Sequence, residues 1–276
     1  MSRSLKLCFI VFSFVFVGLL SASPVWGQDD TVEARAMAAL EQALADTESR
    51  YAASKDVRMA FTTRIETGDE DNPLVEFSYD PALPEGERSV LIHPSEAENP
   101  KARKKIMKQR AKALKQRVEK GEEAAQPDRD LYLENPRKLL SDGAAKFTRE
   151  EGGNYVFSFQ PAFGAVNFGG GDDEDEGKKK KGKDKDKKDF STYLLGEMSV
   201  SKDPQRLTGV RFYAPESFKP VAIAKIKKFE INMQIAPAWE DGPMISALQE
   251  VTVSGKAMFK AFEQHSVVTN SGFEKR

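Results

Sequence analysis

Few residues of this chain have the types and spacing that catalysis or metal binding requires. The sequence of 276 residues contains two histidines, His93 and His265, and one cysteine, Cys8. Zinc needs three or four clustered ligands, and no His-x-x-x-His or nearby Cys accompanies either histidine. The chain has no Gly-x-Ser-x-Gly motif and no Gly-rich phosphate-binding motif. A catalytic triad built from distant residues stays open, but the sequence predicts no enzyme, no cofactor and no metal site.

The strongest chemical bias lies in segment 101–120, which carries ten basic residues and a single acid. Asn99 and Pro100 predict the start of a helix as N-cap and first helical residue, and Gly121 predicts its end. Apolar residues at three- and four-residue spacing add a narrow stripe. Such a helix can lie on an anionic membrane surface or meet an acidic partner, or it can pack its stripe internally and expose lysines to water. The residues predicted to make an anionic contact are Lys104, Lys105, Lys108 and Lys112.

A second charged segment, 169–189, has an acidic block followed by a basic block and no apolar residue. Its acidic start resembles a calcium-binding loop, but the twelfth position counted from Asp172 is Lys183, where such loops need a bidentate carboxylate. A segment without apolar residues cannot contribute to a core. The sequence therefore predicts a disordered loop inserted within one domain, with a linker between domains as the alternative.

The first 27 residues have the pattern of a secretory signal peptide. Arg3 and Lys6 precede a fourteen-residue apolar core, and small residues stand at Val25 and Gly27, before cleavage at Gln28. The core is shorter than the roughly 20 apolar residues of a membrane-spanning helix. Cleavage would remove Cys8, so the exported chain 28–276 has no thiol chemistry and no disulfide. The whole chain has a formal net charge of −1, which argues against general nucleic-acid binding.

The pattern of the rest predicts an α+β fold. Apolar residues at three-, four- and seven-residue spacing over 31–52 predict an N-terminal helix, and another short helix is predicted over 128–140. Alternating residues predict strands over most of the remainder, including one long strand over 219–235 and two more over 244–254 and 256–269. Helices do not alternate with the strands, so we expect an antiparallel sheet in one domain.

Aromatic residues occupy many of the predicted strand positions. If the antiparallel sheet curls into a half-open barrel, its concave side forms an apolar cavity that the N-terminal helix and the helical insert 101–120 cover from one side. Ordinary packing of those helices on the sheet is the alternative. The residues predicted to line the cavity are Phe61, Phe77, Phe157, Phe159 and Phe229.

The order of elements, from a signal peptide through an N-terminal helix and a helical insert to a long meander, resembles the periplasmic outer-membrane lipoprotein carrier and receptor proteins. The ending from His265-Ser266 to Ser271-Gly272-Phe273 resembles theirs, and 80–88 resembles a segment of exported proteobacterial proteins. This resemblance implies a half-open barrel and a periplasmic location.

Two functions follow as hypotheses. The first is a non-enzymatic periplasmic carrier-like protein that encloses a lipid or a lipoprotein acyl chain. The second is an envelope interaction or scaffold protein that uses the basic helix 101–120. A hydrolase ranks behind both, and neither hypothesis involves nucleic acid.

Overall fold

The computed structural model describes residues 31–68, 74–119, 131–162, 190–221, 223–258 and 260–276. Over these residues the chain forms two α-helices and one antiparallel sheet of eleven strands. The predicted α+β fold with a large antiparallel sheet is therefore confirmed. The predicted signal peptide, 1–27, and the predicted charged insertion, 169–189, lie outside the described residues.

The helices are α1, Val32–Ser54, and α2, Pro100–Glu119. The strands are β1 Met59–Thr67, β2 Val75–Tyr79, β3 Ser89–His93, β4 Leu140–Glu151, β5 Asn154–Pro161, β6 Leu195–Ser201, β7 Leu207–Tyr213, β8 Phe218–Val221, β9 Ala224–Pro237, β10 Met244–Ala257 and β11 Lys260–Lys275.

The sheet order is β3-β2-β1-β11-β10-β9-β7-β6-β5-β4, with β8 paired to β9. The last strand, β11, therefore lies inside the sheet between β1 and β10. Its register with β1 runs from Met59 opposite Lys275 to Thr67 opposite Ser266. Strand β11 is the connection between the three-stranded unit β1–β3 and the meander that begins at β4.

Helix α1 begins where the sequence predicts. The Thr31 side chain accepts a hydrogen bond from the Ala34 amide (3.2 Å), which satisfies one of the free donors of the first turn. The buried face of α1 carries alanines at Ala36, Ala39 and Ala43 with Leu40 between them. Small side chains let the helix approach the sheet closely, and α1 contacts β4, β6, β7 and β10. The helix thus covers one face of the meander.

The buried apolar residues form three clusters. The central cluster lies between α1 and the sheet, and the edge cluster lies around β1. The arm cluster lies near β8 and takes its name from strands β8–β11, which we call the arm. The central cluster contains Ala36, Ala39, Leu40, Ala43, Leu44, Leu140, Tyr155, Phe157, Phe159, Met198, Val200, Leu207, Val210, Phe212, Ile235 and Met244. The edge cluster contains Met59, Phe61, Tyr79, Tyr132 and Ile245, and the arm cluster contains Leu194, Phe218 and Phe229.

The predicted helix over 128–140 is wrong for its described part. Tyr132 makes an isolated bridge with Ile245, and a short 3-10 helix, Pro136–Leu139, leads into β4. The residue before a proline is biased away from helical backbone, and Asn135 adopts an extended conformation with φ −145°. Its side chain accepts a hydrogen bond from the Arg137 amide (2.9 Å). Asn135 and Pro136 thus prevent a continuous α-helix.

Two predicted strand boundaries are also wrong. The pattern predicts that one strand, 244–254, ends before Gly255 and that the next, 256–269, begins after it. Gly255 instead lies inside β10, and the chain turns after Ala257. A Cβ on Gly255 would lie 2.4 Å from the Lys225 carbonyl oxygen and 3.0 Å from the Phe262 ring, so this glycine serves a close approach of strands. The expected strand 219–235 is two strands, β8 and β9, joined by a tight turn without Gly, Asn or Pro as a signal.

Candidate functional site

The five predicted cavity residues lie in different parts of the interior. Phe157 and Phe159 belong to the central cluster, Phe61 and Phe77 lie in or against the edge cluster, and Phe229 lies in the arm cluster. All except Phe77 are buried.

Each of these rings contacts side chains of the protein itself. The Phe157 ring is 6.0 Å from Phe147, and the Phe159 ring is 5.8 Å from Phe212, both edge to face. The Phe61 ring lies 5.4 Å from Tyr79. Phe61, Phe157 and Phe159 thus each pair with another aromatic ring, whereas Phe77 lies beside Arg110 and Phe229 packs in the arm cluster.

Helix α2 is attached to β2 and β3 by its arginines. Arg103 donates from Nη1 to the carbonyl oxygens of Leu91 (3.0 Å) and Pro94 (2.9 Å). Two helical turns further along, the Arg110 guanidinium lies 5.0 Å from the centre of the Phe77 ring and donates a hydrogen bond to the Ser89 hydroxyl. Burial lowers the pKa of Arg110 from its ordinary value. The arginines thus fix one side of α2 against the sheet edge.

The approach to α2 is fixed by a capping box. The Glu98 carboxylate accepts a hydrogen bond from the Ser95 amide (2.8 Å), and the Ser95 hydroxyl accepts one from the Glu98 amide (3.2 Å). His93 Nδ1 lies 3.0 Å from the same carboxylate. The hydrogen bond from the Ser95 amide, followed by the contact with His93, lowers the pKa of Glu98 to about 2. Asn99 then caps the helix by accepting from the Ala102 amide (3.0 Å), as predicted.

The four predicted contact lysines lie on the other side of α2. Lys104, Lys108 and Lys112 are spaced by four residues and form one stripe, and Lys105 lies beside it. All four side chains are exposed. Over the part of the chain that the structure describes, no carboxylate forms an ion pair with any of them. The structure therefore brings these lysines together as one exposed basic surface, which we call the α2 lysine stripe.

A different set of charges, which the sequence patterns did not reveal, lies on the sheet face opposite α1. Arg149 of β4, Glu197 of β6, Arg211 of β7 and Glu230 of β9 alternate in sign across the strands. Arg149 donates to Glu197 (2.9 Å), Arg211 contacts Glu197 (3.4 Å), and Arg211 donates to Glu230 (3.0 Å). The residues line an open cavity of about 490 Å³.

These carboxylates are held in their charged form. The hydrogen bond from Arg149 lowers the pKa of Glu197 against the opposing effect of burial. Burial alone would raise the pKa of Glu230, but its contacts with Asn232 and Arg211 outweigh burial and lower it. A carboxylate of lowered pKa that already pairs with arginine is a poor general base. We call Arg149, Glu197, Arg211 and Glu230 the charge ladder and interpret it as an element that stabilises the polar face of the sheet.

Among the residues that the structure describes, no group of three or more His, Cys, Asp or Glu side chains is arranged to hold a metal ion. The described helices also include none with the length and apolar character needed to cross a bilayer.

Comparison of the chain with protein-family models, with curated proteins and with solved structures gave no match. The resemblance to lipoprotein carrier and receptor proteins therefore stays a prediction.

Proposed function

We propose that this protein is a non-enzymatic binding protein of the periplasm that docks on an anionic membrane surface through the α2 lysine stripe. The observation that supports the proposal is that the arginines and the lysines lie on different sides of α2. Arg103 and Arg110 attach the helix to the sheet, whereas the lysines are exposed and form no ion pair with a described carboxylate. The helix therefore holds its positive charge in a fixed outward orientation.

The energetics favour an anionic partner for this surface. Like charges four residues apart destabilise a helix by roughly 0.2–0.5 kcal/mol per pair, and Lys104, Lys108 and Lys112 form two such pairs. Close to an anionic bilayer each lysine gains about 1 kcal/mol, so four lysines gain about 4 kcal/mol at low salt. The outward face of α2 is mainly charged, so we expect adsorption that salt reverses, without deep insertion.

The periplasmic location depends on the signal-peptide pattern of 1–27. Helix α1 contacts strands as far apart in the sheet order as β10 and β4, an arrangement compatible with the half-open barrel of the carrier and receptor proteins. We therefore keep the half-open barrel as part of this proposal.

We expect removal of the α2 lysine stripe to weaken vesicle binding strongly. The chain from Gln28 is mixed at low salt with vesicles of equimolar phosphatidylglycerol and phosphatidylcholine, and bound protein is measured by co-sedimentation. Replacing Lys104, Lys105, Lys108 and Lys112 with glutamine should weaken binding at least ~100-fold, because about 4 kcal/mol of attraction is removed.

The matched control neutralises four other exposed lysines, Lys55, Lys138, Lys146 and Lys275. This variant has the same net charge as the α2 variant, so it should retain most of the binding if the position of the charge matters. Equal losses in the two variants, or unchanged binding by the α2 variant, would contradict the proposal.

Binding of a lipid or lipoprotein acyl chain is the second candidate function, and the packing of α1 favours it. The helix lies on an apolar sheet face through small side chains, so its displacement would uncover Phe157, Phe159 and their neighbours. The displacement would also break the surface ion pairs of Arg137 with Glu41 and Glu48. A ligand that enters by this route would take the place of α1.

Protein purified from its native host should then carry lipid in near-stoichiometric amount, measured by mass spectrometry of an organic extract. Protein unfolded and refolded without lipid serves as the control and should bind a fluorescent fatty acid. An empty extract together with no uptake of the fluorescent fatty acid would reject this function.

A further inference from the structure

The four strands β8–β11 form an arm that extends past the rest of the sheet. Pairing of β11 with β1 ends at Ser266, and pairing of β9 with β7 ends at Glu230. Beyond these points, and among the residues that the structure describes, 260–264 of β11 pairs only with β10, and the start of β9 pairs with β10 and β8. Five residues at about 3.3 Å each give the arm a length of about 16 Å.

The end of the arm exposes apolar side chains. The Met258 amide donates to the Ile223 carbonyl oxygen (3.0 Å), which holds the β8–β9 turn beside the β10–β11 turn. Ile223 is 65% exposed and Met258 is 70% exposed, the two highest values among the large apolar residues of the described chain, and Val221 is exposed next to them. We call these three residues the arm tip.

The backbone at the arm tip is unusual for its sequence. Met258 has φ 47°, in the left-handed region that Gly, Asn and Asp occupy more readily in tight hairpin turns. An exposed methionine there contributes nothing to the core, and a small polar residue would relieve the strain. The position thus holds a large apolar side chain in water at the most distant point of the hairpin.

Lysines surround this apolar tip. Six of them are exposed on the arm, and 219–228 together with 254–262 contain no acidic residue. The arm lysines are Lys219, Lys225, Lys227, Lys228, Lys256 and Lys260. Lys228 lies 3.7 Å from Glu230, but Lys225 stands directly opposite Lys256 in the register of β9 and β10. Like charges directly opposite each other destabilise a sheet, so an anionic partner would relieve this pair.

We propose that the arm tip inserts into an anionic phospholipid bilayer, with the arm lysines bound to the phosphate headgroups. Apolar side chains at a projecting end, surrounded by cations, match the layered structure of a bilayer interface, which offers anionic groups above apolar chains. An acidic protein surface would satisfy the lysines but would leave Ile223 and Met258 facing charge. This site lies on β8–β11 and is separate from the α2 lysine stripe, whose helix packs against β2 and β3.

A cysteine at the tip provides the direct test. The chain from Gln28 contains no cysteine, so Met258→Cys can be labelled uniquely with the environment-sensitive fluorophore NBD. Addition of vesicles of equimolar phosphatidylglycerol and phosphatidylcholine should shift the emission to the blue and increase its intensity severalfold, and a lipid-soluble quencher should reduce it. The matched control is Leu83→Cys, an exposed apolar position on the turn between β2 and β3, which should show no shift.

Further variants separate this site from the α2 lysine stripe. The blue shift at residue 258 should persist, at higher lipid concentration, when the four α2 lysines are glutamine. Ile223→Ser should reduce vesicle binding at high salt, and Lys225→Gln with Lys256→Gln should reduce it at low salt. Vesicle binding without a shift at residue 258 would overturn tip insertion while leaving α2 docking intact. A shift without lipid that grows with protein concentration would indicate tip-to-tip self-association and would also overturn it.

Discussion

Replacing Phe157 with alanine should lower the free energy of unfolding by about 3–5 kcal/mol, the usual loss for a fully buried aromatic ring. Phe157 is 0% exposed and packs between α1 and the sheet, where Phe147 lies against its ring. The alanine variant would leave a cavity under α1 that its alanine-rich face cannot fill. Urea unfolding followed by far-ultraviolet circular dichroism measures the loss.

The matched control is Phe262→Ala on the arm, where the ring is exposed and outside the three buried clusters. Its loss should stay below about 1.5 kcal/mol, since a half-solvated ring contributes less apolar burial. A similarly small loss for Phe157→Ala would contradict the packing of this ring between α1 and the sheet.

Replacing Gly196 with valine should lower the free energy of unfolding by about 3 kcal/mol through overpacking. A Cβ at Gly196 would lie 2.2 Å from the Phe159 ring, which is itself buried against Phe212. The ring cannot move without disturbing the central cluster. Urea unfolding again measures the effect, and Gly86→Val is the control, since nothing lies within 4 Å of a Cβ at Gly86.

A double variant identifies the cause. Phe159→Leu removes the part of the ring that the new side chain would meet, so Gly196→Val combined with Phe159→Leu should lose at least about 1 kcal/mol less than the sum of the two single variants. Strictly additive losses would show that the strain at Gly196 comes from elsewhere in β6.

Local sequence signals predicted the local structure well. Thr31 marks the start of α1, and Asn99 and Pro100 mark the start of α2. These elements depend on neighbours within a few residues. The described part of segment 128–140 does not form the predicted α-helix, because Pro136 favours an extended backbone at Asn135.

Tertiary features were beyond the reach of the sequence patterns. Gly255 reads as a turn residue, but the close approach of the Lys225 carbonyl and the Phe262 ring explains its presence inside β10. The α2 lysine stripe could be predicted because its members share one helix. The charge ladder and the arm tip could not, because each combines residues from different strands, and only the register places Arg211 beside Glu197 or Ile223 beside Met258.

The internal position of β11 has a consequence for the order of folding. The strand that joins the two parts of the sheet is the last described strand to be synthesised, and its partner Met59 lies near the other end of the described chain. Pairings between such distant residues close large loops and slow folding. Until β11 has been synthesised, β1–β3 and the meander share no strand, so we expect the two parts of the sheet to join only after β11 is available.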